Sequence, residues 1–202
     1  MKTLIVFNHP YEGSYCNAIL ESAMNGLQES GQPCDLIHLD KDGFNPVMDA
    51  AELKAFAQAR TMGAKVLKDL DVQTLDYAAR LQQAEHLVLV FPVWWELMPA
   101  LMKGFIDKLI FPAIAYGYTE RGMMKSTLTR LKKVTVISTM NTPGPIYTFI
   151  FGNALRGALL MGTFRKIGCR NLKWISLTRV KGVTQEKRMK WLQDIKDYFK
   201  KA

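Results

Sequence analysis

Three short stretches of this chain carry residue types able to do chemistry. The first, His9-Pro10-Tyr11-Glu12-Gly13-Ser14-Tyr15-Cys16-Asn17, follows an apolar run and leads into a helical pattern. Free amides at a helix start, with a hydroxyl and a side-chain amide beside them, suit a phosphate group. The plainer reading makes Ser14 a helix cap and His9 a loop residue. The second stretch, Pro92-Val93-Trp94-Trp95-Glu96, puts two tryptophans where the chain must leave a strand. They are costly to expose and well shaped to lie against a flat ring, unless both simply join the core. The third runs from Ser138 through Thr139, Met140, Asn141 and Thr142 to Tyr147 and is rich in turn formers. Its short polar groups could hydrogen-bond the heteroatoms of such a ring, or merely form a helix entrance. The chain contains neither GxGxxG nor GxxxxGK[ST], so neither a glycine-rich dinucleotide turn nor a P-loop is supported.

The elements that must position these stretches follow from the apolar patterning. Thr3 to Phe7, Cys34 to Leu39, Leu87 to Phe91, Val134 to Thr139 and Leu172 to Leu177 read as five strands. Pro92 ends the third, having no amide hydrogen for a ladder. Between them lie helical patterns from Ser14 to about Gly26, Ala50 to Arg60, Gln73 to Gln83 and Pro99 to Ile110, with a last one over Gln185 to Phe199. Residues 61 to 72 are ambiguous. Strands alternating with helices predict one three-layer α/β domain over residues 1–202, with a parallel sheet and right-handed crossovers. In such sheets ligands sit outside the carboxyl ends of the strands, where all three stretches fall.

Composition narrows the function classes. At 202 residues the chain can bury a substantial core. Cys16, Cys34 and Cys169 form no CxxC pair, which argues against a disulfide framework or a metal site and for a reducing, cytoplasmic compartment. The start goes straight into a strand, without the pattern of a secretion signal. The long apolar run from Ile146 to Phe164 is interrupted by Asn153 and Arg156 and reads as a buried or interface helix, not a membrane span. The formal charge of +9 is scattered, without an arginine-rich arm. It fits a basic surface or attraction for anionic small molecules better than nucleic acid.

On His9-Pro10 with Ser14 and Asn17, FNPVMD at Phe44 to Asp49, FPVWWELMPALMKGFIDKLIFPAIAYGY from Phe91 to Tyr118, and the loop to Tyr147 with GNALRG behind it, the chain resembles a known family. It is similar to the flavodoxin-like NAD(P)H:quinone oxidoreductases, which include DT-diaphorase, the modulator of drug activity B proteins and ancillary subunits of potassium efflux systems. The resemblance covers almost the whole chain and implies a flavodoxin-like three-layer sandwich with a five-stranded parallel sheet. It also implies a bound flavin, FMN or alternatively FAD, with NADPH or NADH as co-substrate and a quinone-like acceptor. By motif position His9, Ser14, Tyr15, Cys16 and Asn17 would surround the flavin phosphate and ribityl chain. Pro92, Val93, Trp94, Trp95 and Glu96 would follow its ring, and Thr139, Met140, Asn141 and Thr142 its other polar edge.

Tyr116 and Tyr118 match tyrosines that wall the substrate pocket, often across a homodimer interface. Tyr147 matches the tyrosine that stabilises charge on the cofactor. Two positions depart from the family. Asn153 replaces a diaphorase histidine and can hydrogen-bond but not exchange a proton near neutral pH. Asn141-Thr142-Pro143 replaces a glycine-rich loop. The lack of a long tail after the last helix favours FMN. The implied activity is two-electron hydride transfer from NAD(P)H to a quinone. The alternatives are a regulatory flavoprotein subunit docked on a membrane transporter and a flavodoxin-type electron carrier. A homodimer is also suggested by the apolar helices near Leu101 to Ile110 and Phe149 to Met161.

Overall fold

The computed structural model describes residues 1–201. In chain order the elements are β1 (Thr3–Phe7), α1 (Tyr15–Glu29), β2 (Cys34–His38), α2 (Ala50–Met62), α3 (Val72–Gln83), β3 (His86–Pro92), α4 (Ala100–Leu109), β4 (Tyr116–Tyr118), β5 (Met124–Ser126), β6 (Lys133–Thr139), α5 (Gly144–Phe149), β7 (Leu172–Leu177) and α6 (Gln185–Lys200). A 3-10 segment, Gly63–Asp69, fills the ambiguous stretch after α2, and a π-helix, Arg156–Arg165, follows α5.

β1, β2, β3, β6 and β7 form a parallel sheet in the order β2-β1-β3-β6-β7. Because strand side chains alternate, each central strand serves two cores. Ile5, Phe7, Val88 and Val90 pack against α1 and α6. Leu4, Val6, Leu87, Leu89 and Phe91 face the layer of α2, α3, α4 and the π-helix. α1 approaches α6 closely enough that a Cβ at Gly26 would run into the Lys196 carbonyl. Asp49 and Glu52 form a reciprocal cap that starts α2 where the FNPVMD loop ends. Beneath that loop the buried Lys108 ammonium pairs with Glu52 at 2.9 Å and Asp71 at 2.8 Å, tying three helices together.

Three sequence expectations are corrected. Pro92 belongs to β3, since only its β1-facing hydrogen bond is missing. The next amide, Val93 N–H, still reaches Thr139 O at 2.7 Å. The apolar run from Ile146 to Phe164 is not one helix: Gly152 at φ 67° and Asn153 at φ 52° reverse the chain between α5 and the π-helix. Within it Phe149, Ile150 and Phe151 are exposed, as the interface alternative allows. The apolar face of α4 is consumed by its own core, with Met102, Phe105, Ile106 and Leu109 all buried. Among the described residues no helix is long and apolar enough to cross a membrane.

Candidate functional site

The strand order reverses between β1 and β3, which opens a crevice at the carboxyl edge of the sheet. Two adjoining cavities lie there. One, of about 320 Å³, is lined by His9, Pro92, Val93 and Trp94 from the loops after β1 and β3, by Thr139, Met140 and Asn141 after β6, and by Val180 and Lys181 after β7. The other, of about 360 Å³, is lined by Gly13, Ser14, Tyr15 and Ala18 at the start of α1 and by Val180, Lys181 and Arg188. Val180 and Lys181 belong to both, so the two form one trough with a shared wall.

The α1 end of the trough is suited to an anion. Ser14 caps the helix, its Oγ accepting from the Asn17 amide at 3.2 Å and from Asn17 Nδ2 at 3.1 Å. The amides of Tyr15 and Cys16, first in the helix, have no helical carbonyl to bond. The Tyr15 hydroxyl donates to Arg188 O at 2.7 Å, and burial pushes its pKa up to about 12. Arg188 Nη1 donates to Val180 O and Val183 O, which sets its guanidinium beside Lys181 on the trough wall. The loop after β7 is fixed in turn by Lys181 N–H to Asn141 Oδ1 at 3.2 Å and Val180 N–H to Met140 O at 3.2 Å.

The other end mixes apolar and polar lining in about equal measure. Trp94 is partly exposed along its wall, and His9 stands edge-on to it at 6.3 Å. His9 Nδ1 accepts the Tyr11 amide at 3.1 Å, leaving the proton on Nε2. Burial holds its pKa below the ordinary value, against the pull of Asp40. After Trp94 the chain makes a two-residue turn, with reciprocal bonds between Trp94 and Leu97 at 2.9 and 3.1 Å. Glu96 Oε1 accepts from Thr142 Oγ1 at 3.0 Å, joining this turn to the loop after β6.

Not every expected site residue reaches the trough. Cys16 is buried beneath it, 3.3 Å from Thr139 Oγ1, and burial raises its thiol to about 11. Asn17 braces the loop through Tyr11 O at 2.7 Å. Trp95 projects from the turn and is 98% exposed, so neither tryptophan is a core residue. Tyr147, expected to face the cofactor, is only 1% exposed. Its hydroxyl donates to Glu96 O and accepts from the Leu155 amide, both at 2.9 Å. Asn153 lies in the chain reversal, its amide donating to Tyr147 O at 3.0 Å, and lines neither cavity.

Tyr116 and Tyr118 lie in the β4–β5 hairpin, a feature the apolar pattern did not reveal. Tyr116 is buried and lines a separate cavity of about 400 Å³ with Phe56, Ile110 and Met124. Tyr118 sits under Arg60, whose guanidinium lies 5.5 Å from the ring centre. Val180, Lys181 and Arg188 went unrecognised in the sequence. Inspecting the loop after the fifth strand, by the rule applied to the loops after the first, third and fourth, would have found Val180 and Lys181; Arg188 lies beyond it, in the first turn of α6.

A sequence model of the flavodoxin-like fold matches residues 1–199. The chain belongs to the flavodoxin-like fold family. A ribosyldihydronicotinamide dehydrogenase-like protein of Penicillium crustosum is 28% identical over 127 residues, 59% of this chain. That match covers 48% of the fungal protein, so this chain spans about half the length of that relative. An FMN-dependent NADH:quinone oxidoreductase of Macrococcus caseolyticus is 25% identical over 165 residues, 75% of this chain and 76% of that protein. The structure of an NAD(P)H:quinone oxidoreductase from Methanothermobacter marburgensis superposes with a TM-score of 0.86 at 21% identity, covering 99% of this chain and 98% of the other. At that identity the superposition speaks to the fold alone.

Proposed function

We propose that this flavodoxin-like protein is a flavin-dependent NAD(P)H oxidoreductase that passes two electrons, as hydride, from a nicotinamide donor to a quinone or similar small acceptor. The observation that carries the reading is the two-ended trough: unpaired helix-start amides and two cations at one end, a tryptophan-walled slot at the other. Those features fit a phosphate tail and a flat ring. The bacterial relative named as FMN-dependent supports FMN as the resident cofactor. Bound flavin supplies the hydride chemistry, and the protein supplies orientation and electrostatics. The amides of Tyr15 and Cys16, with Lys181 and Arg188, would hold the phosphate. Val93, Trp94 and Met140 would flank the ring and exclude water, while His9, Thr139 and Asn141 would offer polar contacts.

The reading extends to a cytoplasmic homodimer. Phe149, Ile150, Phe151 and Trp95 are exposed apolar groups that a second copy would cover, and Tyr116 and Tyr118 lie apart from the trough of their own chain. The deciding experiment is the absorbance spectrum of purified protein, with release and identification of any yellow cofactor, followed by NAD(P)H oxidation with and without a quinone. Protein that is colourless and binds neither FMN nor FAD would sink the assignment. Sedimentation analysis checks the dimer.

A further inference from the structure

The turn after β3 is built from the wrong residues for its geometry. Its central pair, Trp95 at φ 49° and Glu96 at φ 64°, is left-handed at both positions, where two-residue turns of this hand take Asn-Gly. Bulky side chains in that region are strained and persist only where the surroundings hold them. Two contacts do so. Thr142 Oγ1 bonds the Glu96 side chain at 3.0 Å, and the Tyr147 hydroxyl donates to the Glu96 carbonyl at 2.9 Å. The same hydroxyl accepts the Leu155 amide at 2.9 Å, anchoring the turn to the segment that leads into the π-helix. Leu155 comes within reach because Gly152 and Asn153 reverse the chain, with Asn153 N–H closing onto Tyr147 O at 3.0 Å.

We propose that Tyr147 is a positioning residue: its hydroxyl clasps the strained Trp95–Glu96 turn through the Glu96 carbonyl and so fixes the Trp94 wall of the trough, without touching the cofactor. Asn153 belongs to the same device as the residue that folds Tyr147 and Leu155 together. The inference rests on the flavin reading for its consequence and on the turn geometry for its cause.

A double-substitution cycle separates the two. FMN affinity is measured by quenching of flavin fluorescence for the native chain, Tyr147→Phe, Glu96→Gly and the double variant. Tyr147→Phe weakens FMN by about five- to tenfold, the worth of one hydrogen bond. In the Glu96→Gly background the same change costs less than about twofold, because glycine takes the left-handed conformation unaided. Equal weakening in both backgrounds, or none in the native one, overturns the proposal. The melting temperature falls in both backgrounds, since the Leu155 amide loses its partner either way, and so is not the readout. Near-ultraviolet circular dichroism of flavin-free protein reads the turn itself. The tryptophan signal changed by Tyr147→Phe should return in the double variant, and failure to return counts against the clasp. A native protein that binds no flavin but shows this recovery would refute the flavin reading and keep the clasp.

Discussion

The two edges of the parallel sheet are built on opposite plans. At the amino edge a chain of side chains bonds one to the next, although His86 Nδ1 and Thr3 Oγ1 are buried there without a partner. His86 Nε2 lies 2.8 Å from Thr135 Oγ1, which lies 3.0 Å from the Tyr198 hydroxyl. The ammonium groups of Lys173 and Lys133 stand 4.0 and 4.7 Å from the Tyr198 ring centre. At the carboxyl edge, by contrast, Trp95, Glu96 and Arg179 take left-handed backbone angles without being glycine, and the trough lies open among them. Left-handed backbone around the trough at one edge and linked side chains at the other divide the labour: one edge is shaped to receive, the other keeps the sheet folded. Changes at the amino edge should therefore alter stability and spare cofactor affinity, whereas changes at the carboxyl edge should reach cofactor affinity.

The largest effect expected is acid loss of stability through His86. Burial, with Lys133 and the terminal ammonium adding to it, lowers its pKa from 6.5 to about 3. A lowered pKa means that the unfolded chain takes the proton first, so this stability is present above pH 6.5 and drains away as pH falls toward 3. The slope is at most about 1.4 kcal/mol per pH unit, or about 2–3 kcal/mol between pH 6.5 and 4.5. Urea unfolding of His86→Leu should show that limb removed, with FMN affinity at pH 7 unchanged; a limb that survives the substitution would contradict the account.

Next comes Trp94→Ala, which removes one wall of the ring end. It should weaken FMN and riboflavin alike by about a hundredfold, roughly 2–3 kcal/mol, in fluorescence titrations. Arg188→Ala, at the phosphate end, should weaken FMN about tenfold while leaving riboflavin unaffected, and the difference should shrink as salt rises. An equal loss for both ligands would move Arg188 away from the phosphate. The smallest effect belongs to Tyr198→Phe, which loses the hydroxyl facing Thr135. It should cost about 1 kcal/mol by urea unfolding and leave FMN affinity untouched.

The five strands were legible because β1 and β3 are continuous apolar runs and the flanking helices carry clear periodicity, with Asp49 and Glu52 marking one start. The β4–β5 hairpin was not, since strands of three residues carry too little pattern. The break in the run from Ile146 to Phe164 was hidden for a different reason. Hydrophobic spacing records burial, whereas the reversal depends on a positive φ at Asn153, which asparagine permits but does not announce. The loops after β1, β3 and β6 were found, but not which side chains in them face the trough. Cys16 and Tyr147 turn inward through hydrogen bonds to Thr139 and Glu96, partners remote in sequence.

The bond from the Tyr11 amide to His9 Nδ1 has a consequence for which molecules the slot can accommodate. It leaves the imidazole a single tautomer, so the polar function this ring offers the slot is an N–H and not a lone pair. A visitor bringing a carbonyl oxygen to that wall finds a match; one bringing an amide hydrogen meets another hydrogen. One loop contact thus acts as a polarity filter, set by the chain before any ligand arrives.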